Sequence, residues 1–349
     1  MALGALAQPR ATISARSILL DLVNTWTTVM SSSDYRETLG VSIASQGVTG
    51  IGEGAPIVRY GESAAQGIEI VSSLRELFAS ADPAQYAKLL DQIFAKIPGA
   101  WATKAAIDIA LHDWAAKWLN VPLWKMWGLD GAATPTTTFS IGIDKADVIR
   151  RKVRDAAAYP YLKIKVGLTN DEEVMEAVRA ETKKPLRVDA NEGWKSVDEA
   201  VRKIKWLETQ GVEFIEQPLP AAMLTEAGEV RKRVNMPIFA DEACLHAEDI
   251  PRIAPYFDGV NIKVDKAGGL RQAMRMIDLA RTYKLKVMMG CMVSSSLAIT
   301  AAAQLSPLLD YSDLDGNLLI KNDPYDGVKV VNGRLVLPTR PGVGVVARR

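Results

Sequence analysis

From residue 137 onward, apolar and polar positions follow two alternating rhythms. Short β-rich runs, "TTTFSIGI" (137–143), "YLKIKV", "LRVDA", "GVEFIEQP", "MPIFADE", "GVNIKV", "KVMMGC" and "YSDLDG", are separated by stretches such as "DEEVMEAVRAETKK" and "LRQAMRMIDLARTYKLK". The runs read as buried strands. The intervening stretches, apolar every third or fourth residue, read as helices with one apolar face. The pair repeats about every 25 residues, the length of one βα unit, and eight such units make a closed parallel barrel. Strand–helix alternation points to a parallel sheet, and it also permits a doubly wound open sheet.

Upstream, two β-like segments around 12–24 and 37–53 precede helical stretches near 63–80 and 83–95. Then comes "WATKAAIDIALHDWAAKWLNVPLWKMWG", with Trp114 and Trp118 on one helical face. An aromatic stripe at that spacing reads as core, expected here to pack a first domain onto the barrel.

Composition narrows the function classes. The 349 residues include 42 basic and 41 acidic side chains, a net charge of +1, so no broad electrostatic footprint for nucleic acid or an anionic membrane is expected. No apolar run reaches the roughly 18 residues needed to cross a bilayer. Two cysteines, Cys244 and Cys291, and two histidines, His112 and His246, argue against a disulfide framework and a closed zinc site. Any metal is expected on carboxylates. The start, "MALGALAQPRATISARS", carries Arg10 and Arg16 but no signal-peptide apolar region. It reads as a tail before the first strand of a cytoplasmic protein.

Barrel chemistry sits at the C-terminal ends of strands. Asp189 ends "LRVDA", Glu216 ends "VEFIEQP" and Asp241 ends "MPIFADE", one acid on each of three consecutive strands. A lone acid there reads as a helix cap. Three converging acids repel one another unless a cation binds, and an all-oxygen site suits Mg²⁺. Lys163 and Lys165 alternate on one strand face just before these acids, and Lys263 lies on the strand just after. Lysines inside apolar runs call for a reason, whereas Lys266, beside "AGG", reads as a solvated charge. Crowded ammonium groups near a cation are expected to have a pKa lowered from about 10.4 toward the range of a general base.

These motifs resemble the enolase superfamily, in its muconate-lactonising-enzyme subgroup. The likeness runs from "GIGEGAP" (50–56) through "DIALHDWAAKWLNVPLWKMWG" to the last barrel strand. It implies an α/β fold, a modified TIM barrel of (β/α)7β type over 131–319. An α+β capping domain would span 1–130, with segment 320–349 returning to it. Asp189, Glu216 and Asp241 would bind one Mg²⁺ per subunit. Lys165 and Lys263 would be opposed bases, and Lys163 would contact the substrate carboxylate. The D-x-D of "YSDLDG" resembles that of dipeptide epimerases, which implies that Asp313 and Asp315 grip the substrate's free ammonium. Read alone, the two acids are equally a loop-capping pair. The implied reaction is a 1,1-proton transfer that inverts the α-carbon of the C-terminal residue of an L,L-dipeptide through an enediolate. The resemblance also implies a homo-oligomer acting on a small molecule.

Specificity would come from loops at 24–38 and 55–63. Relatives acting on Ala-Glu carry an arginine in the first loop, where this chain has Ser31, with Arg36 further along. Asp265, two residues after Lys263 and expected on the same strand face, would attract a cationic side chain or pair with a lysine. Ser294, next to Ser295, would line the pocket or start the next helix. An N-acylamino-acid racemase or a cycloisomerase would use the same acids and lysines without needing the D-x-D. A Schiff-base aldolase would use Lys165 or Lys263 as nucleophile and no metal, and a binding barrel would do no chemistry. "GIGEG" is a poor dinucleotide signal, because Ala55 and Pro56 follow it.

Overall fold

The computed structural model describes residues 11–348, so the expected tail lies outside the described residues up to Arg10, and from Thr12 on it is strand instead. Thr12–Thr27 (β1), Ser32–Ser45 (β2) and Val48–Gly54 (β3) form an antiparallel three-stranded sheet. Along β1, Ile18, Leu20 and Leu22 turn inward while Leu19 and Val23 face out, the period-two pattern of a half-buried strand. The expected long loop at 24–38 is mostly strand. Thr25 donates to Asp34 at 2.6 Å, and the Thr27 and Ser32 hydroxyls meet at 2.8 Å, so cross-strand pairing extends the hairpin to a turn at 28–31.

The helix Trp101–Trp118 lies across β3. A Cβ at Gly52 or Gly54 would strike the carbonyl of Ala106 or Ala102, so the glycines of "GIGEG" let helix and strand meet at backbone distance. Trp114 is buried and its indole donates to the Ser45 carbonyl at 3.2 Å, while Trp118 stacks on it, half exposed. The tryptophans therefore pack the helix onto the capping sheet, contrary to expectation. The contact with the barrel falls to Ala105, Ile109 and Asp108, whose carboxylate accepts from Leu270 N at 2.6 Å.

All eight expected barrel strands are present: Phe139–Ile141 (β4), Leu162–Lys165 (β5), Leu186–Asp189 (β6), Val212–Glu216 (β7), Ile238–Ala240 (β8), Gly259–Ile262 (β9), Lys286–Met289 (β10) and Tyr311–Ser312 (β11). They are parallel and pair in sequence order, which excludes the doubly wound alternative, whose order reverses at a switch point. β4 and β11, the two ends of the ladder, are joined through side chains. Thr138 donates to Asp313, Ser140 N to Asp315 at 2.6 Å, and Leu314 N to the Thr137 hydroxyl at 2.9 Å.

The last segment ties both parts together. Lys321 N donates to Asp21 O at 2.8 Å, Val343 N to Asp113 at 2.7 Å, and the Thr134 hydroxyl to Leu335 O at 2.8 Å. Among the described residues no helix is long and apolar enough to cross a membrane.

Candidate active site

Register brings the chemistry together. Lys165 is paired with Asp189 and Asp189 with Glu216 across adjacent strands, so the three side chains leave the sheet at one level. Asp241 follows the end of β8 and completes the group. One carboxylate oxygen from each of Asp189, Glu216 and Asp241 lies within 4.8 Å of the others, and all three residues are buried. Buried oxygens this close, from rigid strand ends, form a donor set suited to a hard divalent cation such as Mg²⁺.

Lysines stand on both sides of the acids. Lys165 reaches Asp189 at 2.6 Å, and Lys263 reaches Asp241 at 2.8 Å. Lys163 points the same way as Lys165, as strand alternation requires, and bridges Asp313 at 2.5 Å, Glu216 at 2.8 Å and Asp189 at 3.3 Å. It therefore links the three-acid group to the D-x-D pair.

Electrostatics departs from one expectation. Burial alone would lower the pKa of Lys163 and Lys263, but facing carboxylates, Asp313 first for Lys163 and Asp241 first for Lys263, outweigh it and hold both above the ordinary lysine value. Asp189, Glu216, Asp241 and Asp313 pair with the lysines, and Glu242 and Asp315 act on them from further off, so attraction between opposite charges exceeds repulsion between ammonium groups. A cation bound to these acids would offset part of their charge and so oppose that rise. The acids themselves split. Burial would raise Asp241, but Lys263 and Lys266 hold it well below the carboxylate range. Burial and Asp189 push Glu216 up to about 8. Against burial, Lys163 holds Asp313 at about 2, whereas burial and Asp313 push Asp315 up to about 7.

Several residues carry parts the sequence reading did not assign. Lys266, expected in solvent, is buried, and its ammonium contacts the Asp241 carboxylate and carbonyl, the latter at 2.8 Å. The reason is local: β9 stops at Ile262, and Val264–Ala267 is a turn of helix that swings Lys266 inward. The same turn takes Asp265 off the expected strand face. Its carboxylate instead accepts from Ala55 N at 2.7 Å and ties the capping loop to the barrel.

Asn261, two residues before Lys263 on the same face, donates to Glu216 at 2.6 Å. Gln217, in the left-handed region at φ 37°, accepts from Asp241 N and Ala243 N, both at 3.0 Å. The alternation of "VNIKV" and the polar residue inside "EQP" were the available signals.

The expected specificity residues fall apart. Ser294 donates to Met292 O at 3.2 Å within its own loop, and Ser295 caps the helix Ser296–Ala303. Ser31 sits exposed at the hairpin turn, its carbonyl accepting from Thr28 N at 3.0 Å. Neighbouring Val29 leans over Gly167 at the barrel rim. From the other capping loop, Arg59 meets Glu192 at 2.5 Å.

Comparison with known proteins is consistent over almost the whole chain. Residues 20–128 match the family "Mandelate racemase / muconate lactonizing enzyme, N-terminal domain", and residues 146–349 match "Enolase C-terminal domain-like". The chain is 41% identical over 328 residues to the L-Ala-D/L-Glu epimerase of Bacteroides thetaiotaomicron, covering 94% of this chain and 85% of that one. It is 39% identical to the L-Ala-D/L-amino acid epimerase of Pedosphaera parvula, covering 92% and 94%. The crystal structure of the dipeptide epimerase of Enterococcus faecalis, complexed with Mg and L-Leu-L-Tyr, superposes with a TM-score of 0.90 at 28% identity, covering 98% and 100%.

Proposed function

The chain belongs to the enolase superfamily, in the dipeptide epimerase group of its muconate lactonizing branch, and from that premise we propose that it inverts the α-carbon of the C-terminal residue of an L,L-dipeptide by a two-base proton transfer. One observation carries the reading: three carboxylates within 4.8 Å of one another, with a lysine against the first and another against the last.

Asp189, Glu216 and Asp241 would hold Mg²⁺. When bound, the ion supplies positive charge against which a substrate carboxylate can accumulate negative charge. An α-proton beside a carboxylate is a very weak acid, so stabilising that charge is the largest requirement of the reaction. Lys165 takes the proton from one face and the conjugate acid of Lys263 delivers one to the other; in the reverse direction they exchange roles. Lys163 lies between the acids and the D-x-D, where it contacts the substrate carboxylate and keeps Asp313 ionised. Asp313 and Asp315 receive the ammonium of the N-terminal residue, which an N-acylamino acid or a cycloisomerase substrate does not possess. Arg59 on Glu192 and Asp265 on Ala55 N hold the capping loop over the barrel mouth and limit entry of water. A homo-oligomer in the cytoplasm completes the reading, tested by sedimentation and fractionation.

The test is isotope exchange in D₂O with Mg²⁺. An L,L-dipeptide gains deuterium at the C-terminal α-carbon as its epimer appears, chelation stops the exchange, and added Mg²⁺ restores it. Lys165→Ala and Lys263→Ala each lower epimerisation by about 10³-fold or more. Full activity in either variant would falsify the two-base assignment. N-acetylation of the substrate abolishes turnover; tolerance of it would favour the racemase alternative. Borohydride trapping without metal would favour the aldolase.

A further inference from the structure

Between the capping loop and the barrel rim lies a cavity of about 220 Å³. Ile57, Tyr60 and Glu62 bound it from the capping loop, Trp101 from the start of the long capping helix, and Leu245 and His246 from the loop after β8. Its floor is Asp265 and Lys266. Because Lys266 touches Asp241, which also holds Lys263, the cavity begins one side chain away from the acid cluster, on the Lys263 flank.

The charged groups around it are already engaged. Asp265 accepts from Ala55 N at 2.7 Å, Glu62 accepts from Ala102 N at 3.3 Å, and Lys266 is held on Asp241. The Trp101 ring carries the Lys104 ammonium 4.3 Å from its centroid and the His246 ring at 3.8 Å. An incoming cation would meet Lys266, and the two carboxylates of the lining already accept backbone hydrogen bonds. An incoming anion would meet Glu62 and Asp265, and Lys266, the lining's ammonium group, is already held on Asp241. What remains as wall is carbon, from Ile57, Tyr60, Trp101 and Leu245, in a volume that admits a leucine, methionine or phenylalanine side chain.

Orientation follows from the ammonium site. Asp313 and Asp315 lie by the seam between β11 and β4, and the loops after β8 and β9 are across the ring from that seam. A dipeptide held by its ammonium at the seam extends its other residue toward the cavity. We propose that this cavity receives the side chain of the C-terminal residue, the one that is epimerised, and selects uncharged apolar side chains, with Leu245 and Trp101 setting the size limit. This rests on the dipeptide reading above.

The test uses the Mg²⁺-loaded full chain and kcat/KM for L-Ala-L-X, with X being Ala, Leu, Phe, Glu or Lys, and for the reversed L-Leu-L-Ala. The wild type is expected to favour Leu and Phe over Ala, Glu and Lys at X. Leu245→Trp, which projects a ring into the cavity, lowers the Leu-to-Ala ratio at X by roughly tenfold or more. Trp101→Leu, which enlarges the cavity, moves the preference from Leu toward Phe. A wild type that prefers a charged X, ratios unchanged in both variants, or a shift confined to the N-terminal residue would each overturn the assignment. If the wild type turned over none of these dipeptides, the dipeptide reading itself would be overturned, a distinguishable outcome.

Discussion

The barrel interior holds two layers of side chains from the same strands, two residues apart, and they solve the problem of buried charge in opposite ways. The lower layer is Tyr161, Arg187, Phe214, Phe239 and Tyr311; the upper layer, one alternation further along, is Lys163, Asp189, Glu216, Asp241 and Asp313. Below, one cation is enclosed. Arg187 lies 4.8 Å from the Tyr161 ring centroid, 5.0 Å from Tyr311 and 5.4 Å from Phe214, and donates to Glu213 and to Ser312 O, both at 3.2 Å. Every charge there has its counterpart. Above, acids outnumber lysines, and the surplus shows in a Glu216 pushed by burial and Asp189 to about 8. The lower layer is charge-balanced as folded, whereas the upper layer keeps a surplus of acid that a cation would offset.

On that contrast, substitutions among the groups that serve each layer act on different observables. The largest effect on folding is expected below: Arg187→Met costs about 3 kcal/mol of unfolding free energy, because Glu213 and the ring cluster lose their common cation. Denaturant melts measure this. Exchange per folded molecule should survive, and its collapse would erase the distinction between the layers.

A smaller effect is expected above. Lys266→Met removes one of two ammonium groups orienting Asp241, and Mg²⁺ affinity falls about 10- to 100-fold by calorimetry, with a smaller change in unfolding midpoint than Arg187→Met. Unchanged affinity would make Lys266 a packing residue.

The smallest effect concerns the tie between cap and barrel. Burial, against the hydrogen bond from Ala55 N, raises Asp265 from its usual 3.8 to about 7. The folded chain then binds more protons than the unfolded chain between those values, so this group's contribution declines as pH rises toward 7 and is flat above. Asp265→Asn is expected to flatten the pH dependence of the melting temperature over that window relative to wild type. An unaltered profile would place the titration elsewhere.

Most of the barrel was legible because its signals are local. Period-two runs gave the eight strands, and a charged residue in an apolar run gave Lys163, Lys165, Lys263 and the three acids. What stayed hidden depended on where elements stop. One early strand end at Ile262 reverses the reading of Asp265 and Lys266 together. Cross-strand hydroxyl contacts, invisible to hydropathy, convert an expected loop into hairpin. The Trp114 and Trp118 stripe was correctly read as structural, yet its partner sheet could not be chosen, since an apolar face fits any apolar surface. Positions such as Ser31 and Ser294 had no local signal beyond polarity, and neither contacts the acid–lysine cluster.

The seam between β4 and β11 does two jobs at once. Where an ordinary barrel would run its last ladder of backbone bonds, this ring is buttoned by the carboxylates of Asp313 and Asp315 and by the Thr137 hydroxyl. Each carboxylate keeps lone pairs beyond those that fasten the wall. The closure therefore fixes where the two acids stand without using them up.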